Sequence, residues 1–221
     1  MNKIHIGGKK LKESSNLRGN GRKLPLQNRS RERVQLIIDN AEKLLTTVAL
    51  PEITTSSIAK SAGIPVGSIY QYFKDRDAIL LALGGRVIAE QDQKLERIFE
   101  EVSAHAHWRH VVKVVVRAFV ENIYEGDIHF RLDTALSNNT EWRAIHMASE
   151  RRIVETLSNY PLFVEKGISG KKARIITKLI VLLVTATVTR TKYPCSLDEE
   201  ELLVREAEAM ITAYLSTLFG D

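Results

Sequence analysis

The sequence predicts an all-α protein: a compact three-helix unit at the front and a longer helical bundle behind it. Three observations carry that expectation. From Ser30 onward, apolar residues recur at three- and four-residue spacing. Breaks fall at helix-length intervals, at Pro51, Gly63-Ile64-Pro65, Gly126, Pro161 to Gly170 and Pro194. No stretch of useful length alternates polar and apolar residues as a half-buried strand does, and no internal repeat occurs.

Taken in order, residues 1–29 lack any hydrophobic period and are rich in Gly, Asn, Lys and Arg, so a disordered basic arm is expected. Residues 1–30 hold eight Lys or Arg and one acid, Glu13, which concentrates the chain's net charge of +5 there. Such an arm attracts polyanions without reading sequence. A plain solvated tail would have the same composition. Val34, Ile37, Ile38, Ala41, Leu44, Leu45 and Val48 then form a helical stripe, with Ser30 in the N-cap position. This helix ends before Pro51. Thr54 caps a second, short helix over Thr55 to Ala62, with Ile58, Ala59 and Ala62 inward. Gly63 ends it, because a positive φ costs glycine least. Pro65 opens a third helix running to Phe73. Asp75 caps a fourth, with Asp77 in its first turn. Helices are expected beyond over roughly 76–102, 108–124, 128–136, 140–158, 171–192 and 198–219.

A tight turn between the second and third of three short helices is the spacing of a helix-turn-helix, whose second helix enters a DNA major groove. At about 100° per residue, Ile69 and Phe73 share the inward face of the third helix. Gly67, Ser68, Tyr70 and Gln71 point outward, and Tyr72 lies at the edge. Gln can contact adenine in bidentate fashion, and Ser or Tyr can donate to a base or a phosphate. Gly67 costs about 1 kcal/mol of helix stability, and its bare backbone would let a phosphate approach. The alternative is that Tyr70 and Tyr72 are packing residues and Gly67 a helix–helix contact.

The segment TTSSIAKSAGIPVGSIYQYFKDRDAIL resembles the DNA-binding segment of the TetR family of bacterial transcription regulators. The matching features are the Thr-initiated helix with Ile58-Ala59, then Ala62-Gly63, Gly67-Ser68, Tyr70, Tyr72-Phe73, and Arg76 before Asp77 and Leu80. The likeness is specific over residues 31–82. It implies residues 30–80 as a DNA-binding domain and 81–221 as an all-helical ligand-binding and dimerisation domain. The implied DNA contacts are Thr54, Thr55 and Ser56, then Val66, Gly67, Ser68, Tyr70, Gln71 and Tyr72, and finally Lys74 and Arg76. Arg76 stands where the family usually has Lys, so the charge is kept and the geometry is not. The implied function is a homodimeric repressor that binds a palindromic DNA operator and is released by a small-molecule effector. A DNA-binding regulator or nucleoid-associated factor without an effector is the alternative. A helical enzyme is a poorer reading: no nucleophile–base pair, metal motif or phosphate loop supports it, so neither catalysis nor a cofactor is expected.

In the back half, Ile175, Ile176, Leu179, Ile180, Leu182, Leu183, Val184 and Val188 cover more than one helix face, as a helix buried on two sides requires. With the stripe Leu203, Ala207, Met210, Tyr214 and Leu218 they suggest a twofold interface, for which Leu179, Leu183, Leu203, Met210 and Tyr214 are the candidates. Closure of the monomer core is the other reading. Trp108, Phe119, Tyr124, Phe130, Trp142 and His146 are candidate pocket walls, though core residues look the same. His105, His107 and His110 cluster, with His129 further on, but no cysteine or acidic motif completes a site, and no metal is expected. Cys195 is the one cysteine, a redox-sensing thiol if exposed and otherwise inert. It excludes an intrachain disulfide. The longest apolar run, Ile180 to Val188, is about half a membrane span. A cytoplasmic protein is expected. Gly84-Gly85 interrupt the fourth helix and suggest either a hinge or a close helix contact.

Overall fold

A computed structural model describes the backbone of residues 23–103, 106–124, 128–191 and 196–220. The side chains of 23–27, 103, 122–124, 188–191 and 197 fall outside the description. Every regular element among the described residues is helical. The helices are α1 (Lys23–Thr47), α2 (Thr55–Ser61), α3 (Val66–Ile69), α4 (Arg76–Ser103), α5 (Trp108–Tyr124), α6 (Ile128–Ala135), α7 (Thr140–Ser158), α8 (Pro161–Glu165), α9 (Gly170–Thr191) and α10 (Leu197–Phe219), with a 3-10 turn at Leu50–Glu52. None is long and apolar enough to cross a membrane. The chain contacts divide into Met1–Gln35 and Leu36–Asp221. In the first unit the described part is the beginning of α1, where residues 28–33 are exposed.

Three boundaries differ from expectation. First, α1 starts seven residues before Ser30. Pro25 falls in its first turn, where a missing N–H breaks no helical bond, so residues 23–29 are helical rather than part of an arm. Residues 1–22 lie outside the described residues. Second, α3 has only four residues, and Tyr70 to Tyr72 continue it as a turn. Third, the loop expected after Pro161 contains α8, with Pro161 at its start and Phe163 buried.

Among the described residues, the interior of Leu36–Asp221 is mostly apolar. Ile37, Leu45, Ile58, Ile69, Ile79 and Leu83 are among its wholly buried side chains. Arg86 of α4 reaches Asp39 and Glu42 of α1, each at 2.6 Å, and holds the two helices together. Further along, α4 packs on α5 and α7, α7 on α9, and α9 on α10. Trp108, Phe163 and Phe219 meet in the core of this bundle, with Trp108 edge-on to Phe219 at 5.6 Å between ring centres. Short α6 packs on α4, and its Arg131 donates to the carbonyl of Val48, just past the end of α1.

Candidate nucleic-acid interface and ligand cavity

The front site is built by short-range bonds. Thr54 Oγ1 accepts from the Ser57 N–H at 3.0 Å, and Ser57 Oγ accepts from the Thr54 N–H at 2.8 Å. This reciprocal cap satisfies two donors that a seven-residue helix would otherwise leave open. Gly63 then turns the chain at φ +64, a conformation strained for any side chain. The Ile64 N–H closes the turn on the Ala59 carbonyl at 3.0 Å. Just past α3, the N–H groups of Tyr72 and Phe73 both donate back to the Ile69 carbonyl at 2.9 Å. Ile69 is wholly buried and Phe73 nearly so, as helical spacing predicts.

The remaining side chains face out. Thr54, Ser56, Val66, Gly67, Tyr70, Gln71 and Lys74 are exposed, while Thr55, Ser68, Tyr72 and Arg76 are half-buried. A Cβ at Gly67 would meet nothing within 4 Å, so no helix contact requires glycine there. The Tyr70 hydroxyl lies 3.2 Å from Thr55 Oγ1, within hydrogen-bond reach. That bond ties α3 to the first turn of α2 and puts both on one surface, a link that sequence spacing does not reveal. Thr54 spends its hydroxyl oxygen on the cap. Arg76 gives two of its five donors to Asp77 Oδ1, at 2.9 and 2.7 Å.

Behind this unit is a cavity of about 610 Å³, walled by α4, α5, α6, α7 and α9. Four of the six residues expected to line a pocket line this one: Phe119, Phe130, Trp142 and His146. Trp108 lies in the bundle core, edge-on to Phe219 of α10, and lines a second, smaller apolar cavity of about 80 Å³ with Val111, Val116 and Phe163. The side chain of Tyr124 lies outside the described residues. Sequence reasoning missed Asp92 and Asp133, and it named His129 among the histidines but not as a wall; all three line the cavity. Asp92 and Asp133 find partners on α7, up to 60 residues away, whereas His129 and Asp133 are one turn apart on α6.

Asp92 is 5% exposed. It accepts from Ser149 Oγ at 2.6 Å and from the Arg152 guanidinium, through Nε at 3.0 Å. Arg152→Ala would leave a buried carboxylate with one hydroxyl for support. We expect it to lower the unfolding free energy in urea by about 2 kcal/mol, less than for a fully buried pair because Arg152 is half exposed.

Asp133 is the centre of a second network. Its Oδ1 accepts the Trp142 indole N–H at 2.9 Å and lies 3.2 Å from His146 Nε2. Its Oδ2 lies 3.6 Å from His129 Nε2. Burial pushes this carboxyl upward, but the His146 hydrogen bond, the nearby imidazoles and the indole N–H together outweigh burial and hold it below the usual carboxylate range. Of the histidines considered for a metal, His129 is joined by His146, and His105 lies outside the described residues.

A third feature is an apolar surface. Ile175, Leu179 and Leu182 on α9, and Leu202, Met210 and Tyr214 on α10, are exposed. Of the five expected interface residues, Leu179, Met210 and Tyr214 are exposed, and Leu183 and Leu203 are half-buried. Leu183 packs against the bundle core.

Residues 37–83 match the family model described as bacterial regulatory proteins, tetR family. Over 91 residues the chain is 32% identical to the HTH-type transcriptional regulator EthR of Mycobacterium tuberculosis, a match covering 40% of this chain and 42% of that protein. The chain thus matches less than half the length of this curated relative. Two solved structures share its fold. One, from Mesorhizobium loti and assigned to the TetR family, has a TM-score of 0.70 at 13% identity, covering 86% of this chain and 98% of the other. The other is the transcriptional regulator FadR of Bacillus subtilis in complex with stearoyl-CoA, with a TM-score of 0.58 at 22% identity, covering 85% and 98%.

Proposed function

We propose that the chain, whose residues 37–83 match the tetR family of bacterial regulatory proteins, is a cytoplasmic repressor of that family. It acts as a homodimer on a palindromic DNA operator and is released by a small molecule held in the cavity. Residues 30–80 are the reading domain in this proposal, and 81–221 bind the effector and the second subunit.

The observation that carries the proposal is the uncharged face of exposed Gly67, Tyr70 and Gln71 with half-buried Ser68 among them, held out by buried Ile69 and Phe73. Gln71 reads a base edge, and Thr55, Ser56, Tyr70, Lys74 and Arg76 grip the backbone. In a mobility shift against the DNA upstream of its own gene, affinity is expected to fall steeply between two salt concentrations. Gln71→Ala should weaken that site about tenfold or more while leaving random DNA nearly unchanged. Equal weakening of both would remove the base contact and favour a nucleoid-associated factor.

Dimerisation through α9 and α10 is supported by their exposed apolar residues, and a twofold dimer suits a palindromic site. Leu179→Glu is expected to give a folded monomer by sedimentation and to lose operator affinity. A variant that stays dimeric would move the interface elsewhere. For the effector, a thermal-shift screen is the direct route, since a ligand of the folded state raises its melting temperature. Stearoyl-CoA, held by FadR, is the first compound to try.

A further inference from the structure

Two imidazoles and a carboxylate converge on the cavity wall. His129 and Asp133 are one helical turn apart on α6 and so share a face. His146 comes across from α7. One donor atom from each lies within 4.8 Å of the other two, with the Asp133 oxygens at 3.2 and 3.6 Å from the two Nε2 atoms. Ligands of one tetrahedral zinc, bonded at roughly 2.0–2.1 Å, sit roughly 3.4 Å apart. Each imidazole stands near that spacing from one Asp133 oxygen, His146 from Oδ1 and His129 from Oδ2, so turning the carboxylate and the rings would bring one atom of each residue onto a single ion.

The surroundings hold the set in place. The Trp142 indole N–H orients the Asp133 carboxylate, the kind of outer hydrogen bond that ligating groups use. Trp142 is itself fixed, 4% exposed, with its ring edge-on to His146 at 4.4 Å between centres. Two imidazoles with one carboxylate suit zinc, nickel or cobalt, whereas magnesium and calcium prefer all-oxygen sets. Three protein ligands leave a coordination position open, and all three residues line the cavity.

We propose that His129, Asp133 and His146 bind one divalent transition-metal ion, with its open position facing the cavity. The site stands apart from the DNA reading, and metal uptake tests it alone. The full chain is stripped with EDTA, dialysed against zinc and assayed for bound metal, and cobalt is added separately to read the coordination geometry by its visible spectrum. One zinc per chain and a tetrahedral or five-coordinate cobalt spectrum are expected. His146→Gln and Asp133→Asn should each lose the stoichiometric ion, with melting in EDTA confirming that they fold. The double variant His107→Ala, His110→Ala should keep it. The proposal fails if the wild-type chain takes up no stoichiometric zinc or cobalt. It fails equally if a folded His146→Gln retains the ion or if the double variant loses it. The wild-type cobalt spectrum decides even where a variant does not fold.

Discussion

Ile69→Ala is expected to lower the unfolding free energy by about 3 kcal/mol and to abolish specific DNA binding at any salt concentration. The reason lies in the length of α3. Four residues are far below what a helix needs to persist on its own, so packing must supply its stability. That packing comes from Ile69, wholly buried, and from Phe73 behind it. The Ile69 carbonyl also accepts the Tyr72 and Phe73 N–H groups, so this one residue joins the helix to the turn that follows. Truncating its side chain removes apolar burial and leaves a cavity under the surface that carries Tyr70 and Gln71. Urea unfolding measures the first effect and a mobility shift the second. A loss below about 1 kcal/mol with operator binding retained would mean that α3 is positioned from elsewhere.

The adjacent glycines of α4 should respond in opposite directions to alanine. A Cβ on Gly84 would overlap the Trp142 ring, with Cη2 only 2.9 Å away. Overpacking of that kind costs about 1–3 kcal/mol, and the better helix propensity of alanine returns about 1. Gly84→Ala is therefore expected to destabilise by up to about 2 kcal/mol and to shift the Trp142 fluorescence. At Gly85 the nearest atom, Ile145 Cδ1, is 4.0 Å away, an ordinary contact. Gly85→Ala should stabilise by up to about 1 kcal/mol. Equal responses would remove the seat beneath Trp142. The sequence leaves hinge and close contact open for this pair; the geometry gives Gly84 a packing reason and gives Gly85 none.

The front unit was readable from sequence because its determinants are local. Thr54 and Ser57, Gly63 and Pro65, and Ile69 and Phe73 act over two to five residues, within reach of capping rules and helical periodicity. The end of α3 was not readable, since the apolar period continues to Phe73 whether the backbone stays helical or turns at Tyr70. Nor was α8, where five residues are too few to show a period and only Pro161 hinted at a start. The cavity was legible in its aromatic walls but not in its polar groups. Asp92 meets Arg152, and Asp133 meets His146, only after separate helices have packed. A histidine cluster along the sequence is a poor guide to one in space: His107 and His110 are neighbours on paper, whereas His129 and His146 need the approach of α6 to α7.

Arg131 sits between His129 and Asp133 on α6 and grips the Val48 carbonyl at the end of α1. One eight-residue helix therefore touches the cavity with some side chains and the base of the reading unit with another. Any occupant that prefers one position of α6 over another exerts that preference on Val48 as well. Reciprocity then binds the two ends: the factor by which the occupant changes operator affinity must equal the factor by which the operator changes the occupant's. Titrating the occupant with and without operator DNA would measure the coupling from the side opposite to the usual one.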